Sequence, residues 1–220
     1  MAEGSRILGE ALRALAGGPL PELEAIEGRL VTLDLPRGGT LFRQGEPEGS
    51  VWFVASGLVK LSYEDAAGRV LTKSIVEEGG LFASIAAVAG GEASFTAAAL
   101  TPLRVERSAW TALEALAARH HPWETALRTM LMQYARQKEV REHEVLTLSA
   151  TERWLRLLER RPAVCARLPQ TELAALIGIT PVALSRIKAR LGRSSRGSGT
   201  NAGASPQPRR APASGAARGP

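Results

Sequence analysis

The sequence is short of the residues on which several functions depend. One cysteine, Cys165, stands in 220 residues. That excludes an internal disulfide and an iron–sulfur cluster held by the cysteines of a single chain. The three histidines, His120, His121 and His143, fall outside every segment that reads as a strand. An enzyme of the double-stranded β-helix type needs metal-ligating histidines on its strands, so that class is set aside. No pair among these histidines stands at a spacing that implies metal; with Met130 and Met132 they read as core or surface residues, and no cofactor is expected. Aromatic residues make up 5% of the chain, so alanine, leucine and valine must fill most of the core. No run of eighteen apolar residues occurs, which argues against a membrane span. No apolar signal segment follows a basic start, and the expectation is a cytoplasmic protein without a membrane partner.

What the chain does have is an uneven charge. Residues 1–149 carry 15 basic and 19 acidic side chains, residues 150–191 carry 8 and 3, and residues 192–220 carry 5 and none. An acidic body joined to a basic C-terminal segment fits a nucleic-acid-binding module on a separate domain. Arginine-rich helices are also ordinary solvated faces, so charge alone does not decide this.

Residues 6–16 and 20–30 read as short helices. From Leu30 to Arg107 short apolar-polar runs alternate with Gly/Pro turns, the texture of a β-sandwich or jelly roll. Trp110–Ala118 reads as a helix, broken at His120-His121-Pro122, and a long helix follows from about Trp123 to about Leu146. Its stripe Leu127, Met130, Leu131 and Tyr134 is either a dimer seam or the face that lies on its own roll, and both can hold at once. Thr147–Thr151 reads as a hinge. Ser149 and Glu152 have the spacing of a capping box for a helix over Ala150–Arg160, with Trp154, Leu155 and Leu158 as its core face. Pro162–Leu168 is a link. From Gly192 the composition is Gly, Ser, Ala, Pro and Arg without periodicity, and a disordered basic tail is expected over 193–220.

The most informative stretch is Pro169–Leu191. Leu173, Leu176 and Ile177 give one apolar face, and Leu184, Ile187 and Leu191 give another. Gly178 supplies the turn, Thr180 an N-cap and Pro181 a first helical residue. The pattern is that of a helix-turn-helix, whose second helix enters the DNA major groove; a helical hairpin in some other core is the alternative. On the first reading Gln170, Thr171 and Thr180 hold phosphates, and Pro181, Val182, Ser185 and Arg186 face outward to the bases. Arg186 has the fork that matches guanine. Lys188 and Arg190 are phosphate contacts.

The order of these parts resembles the catabolite-activator/fumarate-nitrate-regulator (Crp/Fnr) family of bacterial transcription regulators. Phe42-Arg43-Gln44-Gly45-Glu46 is similar to its early glycine turn, and Trp52–Leu61 to its strand pair around a Ser-Gly. Gly79-Gly80-Leu81-Phe82-Ala83-Ser84 falls where its Gly-Asp-x-Phe-Gly-Glu stands. Leu148–Leu155 and Gly178–Ile187 are similar to its hinge and recognition helix. The resemblance covers residues 20–191. It implies an α+β chain: an N-terminal extension (1–19), a cyclic-nucleotide-binding-like β-roll (20–122), a dimerisation helix (123–147) and a helix-turn-helix head (148–192) without the usual wing. It also implies a homodimer on a pseudo-palindromic duplex, with RNA polymerase as a further partner.

Two departures qualify this. Where cyclic-nucleotide members carry a Glu and an Arg, this chain has Ser84 and Ala93, which argues against cyclic AMP. Phe82, Ala83, Ser84, Ile85, Ala93 and Ser94 are the candidate lining of an effector pocket of unknown ligand, or simply roll filling. A roll that regulates through protein contacts, with little or no specific DNA binding, is the competing reading.

Overall fold

The structure, a computed structural model, describes residues 7–197, with side chains placed through Gly192. The chain divides into two units, Met1–Leu184 and Ser185–Pro220.

Eight strands build the roll: β1 (Val31–Leu35), β2 (Thr40–Phe42), β3 (Ser50–Ser56), β4 (Val59–Glu64), β5 (Val70–Val76), β6 (Leu81–Phe82), β7 (Thr96–Ala99) and β8 (Leu103–Ala109). They form two four-stranded antiparallel sheets, ordered β1-β8-β3-β6 and β2-β7-β4-β5. Consecutive strands β3 and β4 lie in different sheets, so the chain crosses between layers at Gly57. Its φ is 93°, and a Cβ there would collide with the Pro102 carbonyl. Only glycine fits both demands. The two-residue β6 is too short to leave a periodic signal in the sequence.

Two clusters make the core, and β3 belongs to both. Trp52 and Val54 point into the roll with Phe42, Phe82, Phe95 and Val105. Val51 and Phe53, of opposite parity, point outward into a helical cluster. That cluster gathers Leu8 and Leu12 of α1 (Ile7–Ala16), Leu23 and Ile26 of α2 (Leu23–Glu27), Trp110 and Leu113 of α4 (Trp110–Ala117), and Trp123 and Leu127 of α5 (His121–Thr147). The small α3 (Ile85–Val88) follows β6. The N-terminal helices are therefore core elements. The backbone N–H of Leu8 donates to the buried Glu106 carboxylate at 2.9 Å, and Trp123 Nε1 donates to the Pro21 carbonyl at 2.7 Å. Each fully buried large side chain contributes roughly 1.5–3 kcal/mol.

The long helix α5 has 27 residues and is about 40 Å long at 1.5 Å per residue. The break before it falls at His120; His121 and Pro122 belong to the helix, where a proline in the first turn loses no hydrogen bond. After it come α6 (Ala150–Arg160), α7 (Pro162–Arg167), α8 (Gln170–Leu176) and α9 (Pro181–Gly197). The capping box is formed as read: Ser149 Oγ accepts from Glu152 N, and the Glu152 carboxylate accepts from Ser149 N. The core face of α6 differs. Trp154 and Leu157 are buried, while Leu155 and Leu158 are 45% and 37% exposed. Both pairs have the same three-residue spacing, offset by one, and packing selects the first.

Two further differences concern punctuation. The link Pro162–Leu168 is mostly helix, begun by Pro162. Helix α9 passes through Gly192 to Gly197, because a single glycine costs a helix only about 1 kcal/mol. The low-complexity segment therefore does not begin at Gly192 as a break in structure, and the rest of the expected tail lies outside the described residues. Among the described residues no helix is long and apolar enough to cross a membrane.

Candidate effector pocket and candidate nucleic-acid interface

The interior of the roll is filled by rings. Phe42 lies 5.5 Å from Phe95 and 6.0 Å from Trp52, and Trp52 stacks on Phe82 at 6.2 Å and 11°. Against these rings sits the segment singled out in the sequence. Ser84 is wholly buried at the head of α3, where its Oγ accepts from Ser94 N at 3.0 Å and lies 3.4 Å from Ser94 Oγ. Ala93 is buried beside them, held by backbone bonds to Gly45 and Glu46. Ser84, Ala93 and Ser94 are thus brought together. Phe82 belongs to the ring cluster, while Ile85 is 37% exposed. Phe82, Ala83 and Ile85 line a different space, a cleft of about 380 Å³ between the Gly79-Gly80 turn, α1 and α5, to which Met130 and Tyr134 also contribute.

Sequence reading missed Lys73. It is 7% exposed, with Nζ 4.3 Å from the Phe95 ring centroid and 5.8 Å from that of Tyr134. Burial, then the nearby Lys138 and Arg141, push its ammonium down to about 7. The signal was present: Lys73 shares its parity on β5 with the buried Ile75.

The stripe on α5 divides. Leu127 is buried in the core of its own chain, Met130 packs against that core, and Tyr134 is half-buried near Lys73. Leu131 is 38% exposed and its neighbour Met132 66%.

Side chains from the roll also reach the helices that follow. Arg167 forms a fork on Glu78, both distances 2.8 Å, and holds that carboxyl at about 2. Arg161 bonds Glu77 and the Ile75 carbonyl, and Lys60 pairs with Glu172 at 2.8 Å. None of these pairs is visible in sequence, since their members lie 84 to 112 positions apart.

In α8 and the start of α9, Leu173, Ala174, Leu176 and Leu184 are buried. Gly178 turns the chain with φ 73°, and Thr180 Oγ1 accepts from Ala183 N at 3.2 Å, as an N-cap does. Gln170 spends its amide on the Pro181 carbonyl at 2.9 Å. Thr171, Thr180, Pro181 and Val182 are exposed, Val182 by 61%. In the second unit Ser185, Arg186, Lys188 and Arg190 are exposed along α9.

A roll of this kind, closed by a long helix, defines a class, and residues 32–120 match the cyclic nucleotide-binding domain family. The wider chain has the fold of the Crp/Fnr transcription regulators, the family its motifs resemble. FixK2 from Bradyrhizobium japonicum is similar with a TM-score of 0.65, at 18% identity over 76% of this chain and 86% of that one. The c-di-GMP responsive global regulator CLP of Xanthomonas campestris is similar with a TM-score of 0.61, at 18% identity over 76% and 89%. The catabolite activator protein of Thermus thermophilus gives 0.50, at 24% identity over 82% and 87%. These are likenesses of fold. Curated proteins offer no match to the sequence.

Proposed function

We propose that this chain is a homodimeric, sequence-specific DNA-binding transcription regulator that acts by binding and not by catalysis. Helices α8 and α9 are its helix-turn-helix. The observation that carries this is the start of α9: a capped, exposed helix end bearing Val182, Ser185 and Arg186, with basic residues Lys188 and Arg190 following. Arg186 reads a guanine, Val182 meets a thymine methyl, and Thr171, Thr180, Lys188 and Arg190 hold phosphates. Gln170 gives one amide N–H to the Pro181 carbonyl and keeps the other for this purpose. The dimer forms along α5 on the exposed side marked by Leu131 and Met132, while Leu127 and Met130 serve the protomer's own core. The two heads then meet a pseudo-palindromic operator, with half-sites about 34 Å apart, and RNA polymerase is the natural further partner.

The effector is not cyclic AMP held in the family's manner. At the two positions that resemblance assigns to the ribose-binding Glu and the phosphate-binding Arg, Ser84 has its hydroxyl engaged by Ser94 and Ala93 offers no charge. The missing charge-assisted contact is worth about 1.5–3 kcal/mol.

Anisotropy with random duplex across a salt series, followed by selection of bound sequences, tests the reading. Arg186→Ala is expected to cost about 1–3 kcal/mol at one base pair per half-site and to relax specificity there. Equal loss on every sequence makes Arg186 a phosphate contact, and no affinity at low salt favours a regulator that works through protein contacts.

A further inference from the structure

We propose that the groove where α5 meets α6 and the C-terminal end of α8 is a binding site for a nucleotide carrying two or more phosphates, separate from the roll interior. The groove has a volume of about 720 Å³, within the range of sites that enclose small ligands. Its wall is basic. Arg136 and Arg141 of α5, Arg153, Arg156 and Arg160 of α6, and Arg161 line it against a single carboxylate, Glu144. Glu144 is taken by Arg160 at 2.6 Å, and Arg161 by Glu77, which lies outside the groove, at 2.8 Å. Arg136, Arg141, Arg153 and Arg156 make no ion pair among the described residues.

Two of these four are held in place by neutral acceptors. Arg141 donates to the Leu176 carbonyl at 3.1 Å, and Arg153 to those of Ile177 at 3.0 Å and Leu148 at 2.8 Å. Carbonyls orient a guanidinium but bring no full opposite charge into contact with it. Burial, together with Arg153 and Arg161 nearby, holds Arg141 below its usual range against the pull of Glu144. Like charges this close repel one another. A phosphate, which arginine forks grip through two parallel bonds, relieves that repulsion. Four guanidiniums without a carboxylate in contact, on two helices, call for more than one phosphate. Val140 and Leu157 offer an apolar floor for a base, and the Gln137 amide a partner for its edge. A ligand seated here clamps α5, the helix leaving the roll, to α6 and α8, and so acts on the joint of the molecule and not on its sensor interior.

The test is calorimetric titration of the full chain with ATP, GTP and inorganic pyrophosphate at low salt, beside the variant Arg136→Gln/Arg156→Gln. Both arginines are exposed, and thermal melting checks that the fold is kept. Arg37→Gln/Arg43→Gln, exposed on the roll, removes the same charge elsewhere. The expected result is saturable binding of at least one nucleotide, tighter than pyrophosphate, weakened roughly tenfold or more by the groove variant alone. No saturable nucleotide binding up to about 1 mM, or equal weakening in both variants, overturns the proposal. So does a groove variant that loses DNA affinity, or its dimer, while the parent binds no nucleotide; the groove then seats a DNA backbone or the partner subunit. The titration contains no DNA, so a failed operator selection leaves it standing.

Discussion

The roll interior and the groove at the joint are made of opposite materials. Inside the roll four rings and a line of alanines meet, and the one buried cation among the described residues, Lys73, lies between Phe95 and Tyr134. At the joint, six arginines line one groove. The inside is packed like a core, and the surplus charge stands where the roll hands over to the helices. The difference teaches that a roll can be packed as an apolar core while its arginines gather at the joint.

The largest expected effect bears on the packed side of this contrast. Phe95→Ala removes a ring that is 1% exposed and should cost about 3–5 kcal/mol in denaturant unfolding. A cost below about 1 kcal/mol would mean that the roll collapses freely and is not packed as a core. Next comes Lys73→Met, expected to stabilise by about 1–3 kcal/mol at pH 6. The sign follows from the ammonium falling to about 7 in the folded state. Below pH 7 folded and unfolded chains both carry the charge, and the folded chain bears its full burial cost. Between pH 7 and the unfolded value near 10.5 the unfolded chain holds more protons, so the parent gains stability as pH rises and the advantage of methionine shrinks. A loss at pH 6 would show that the two ring contacts outweigh burial.

On the polar side the effects are smaller. Ser149→Ala removes one half of the capping box and should lower the melting free energy by about 1 kcal/mol; no change would mean that α6 is held by Trp154 and Leu157 alone. The smallest is the fork of Arg167 on Glu78. Its carboxyl sits at about 2 against an ordinary 4.5, so its contribution is complete above pH 4.5 and fades as pH falls from 4.5 toward 2. Both partners are more than a third exposed, which holds the effect to about 1 kcal/mol or less. Glu78→Gln should flatten this part of the acid-unfolding curve.

Legibility followed the range of the interaction. The capping box of Ser149 and Glu152, the Gly178 turn and the Thr180 cap were readable because each is closed within four residues. The strands were readable from alternation, apart from β6, which has two residues. The choice of Leu157 over Leu155 and Leu158 was not, because it depends on what α6 packs against. Nor were the arginine groove and the Glu78–Arg167 fork, whose members meet only after the chain has folded back. Lys73 lay between these cases: its inward parity was in the sequence, but a charge at an inward position reads as an error until its rings are in view.

Strand β3 gives one face to each of the two hydrophobic clusters. Neither cluster can melt without stripping the other of Val51 and Phe53 or of Trp52 and Val54. The roll and the helices around it are therefore one cooperative unit, and the amide hydrogens of β3 exchange only when that whole unit opens. A perturbation anywhere on the helical side is felt in the ring cluster through a shared wall one strand thick.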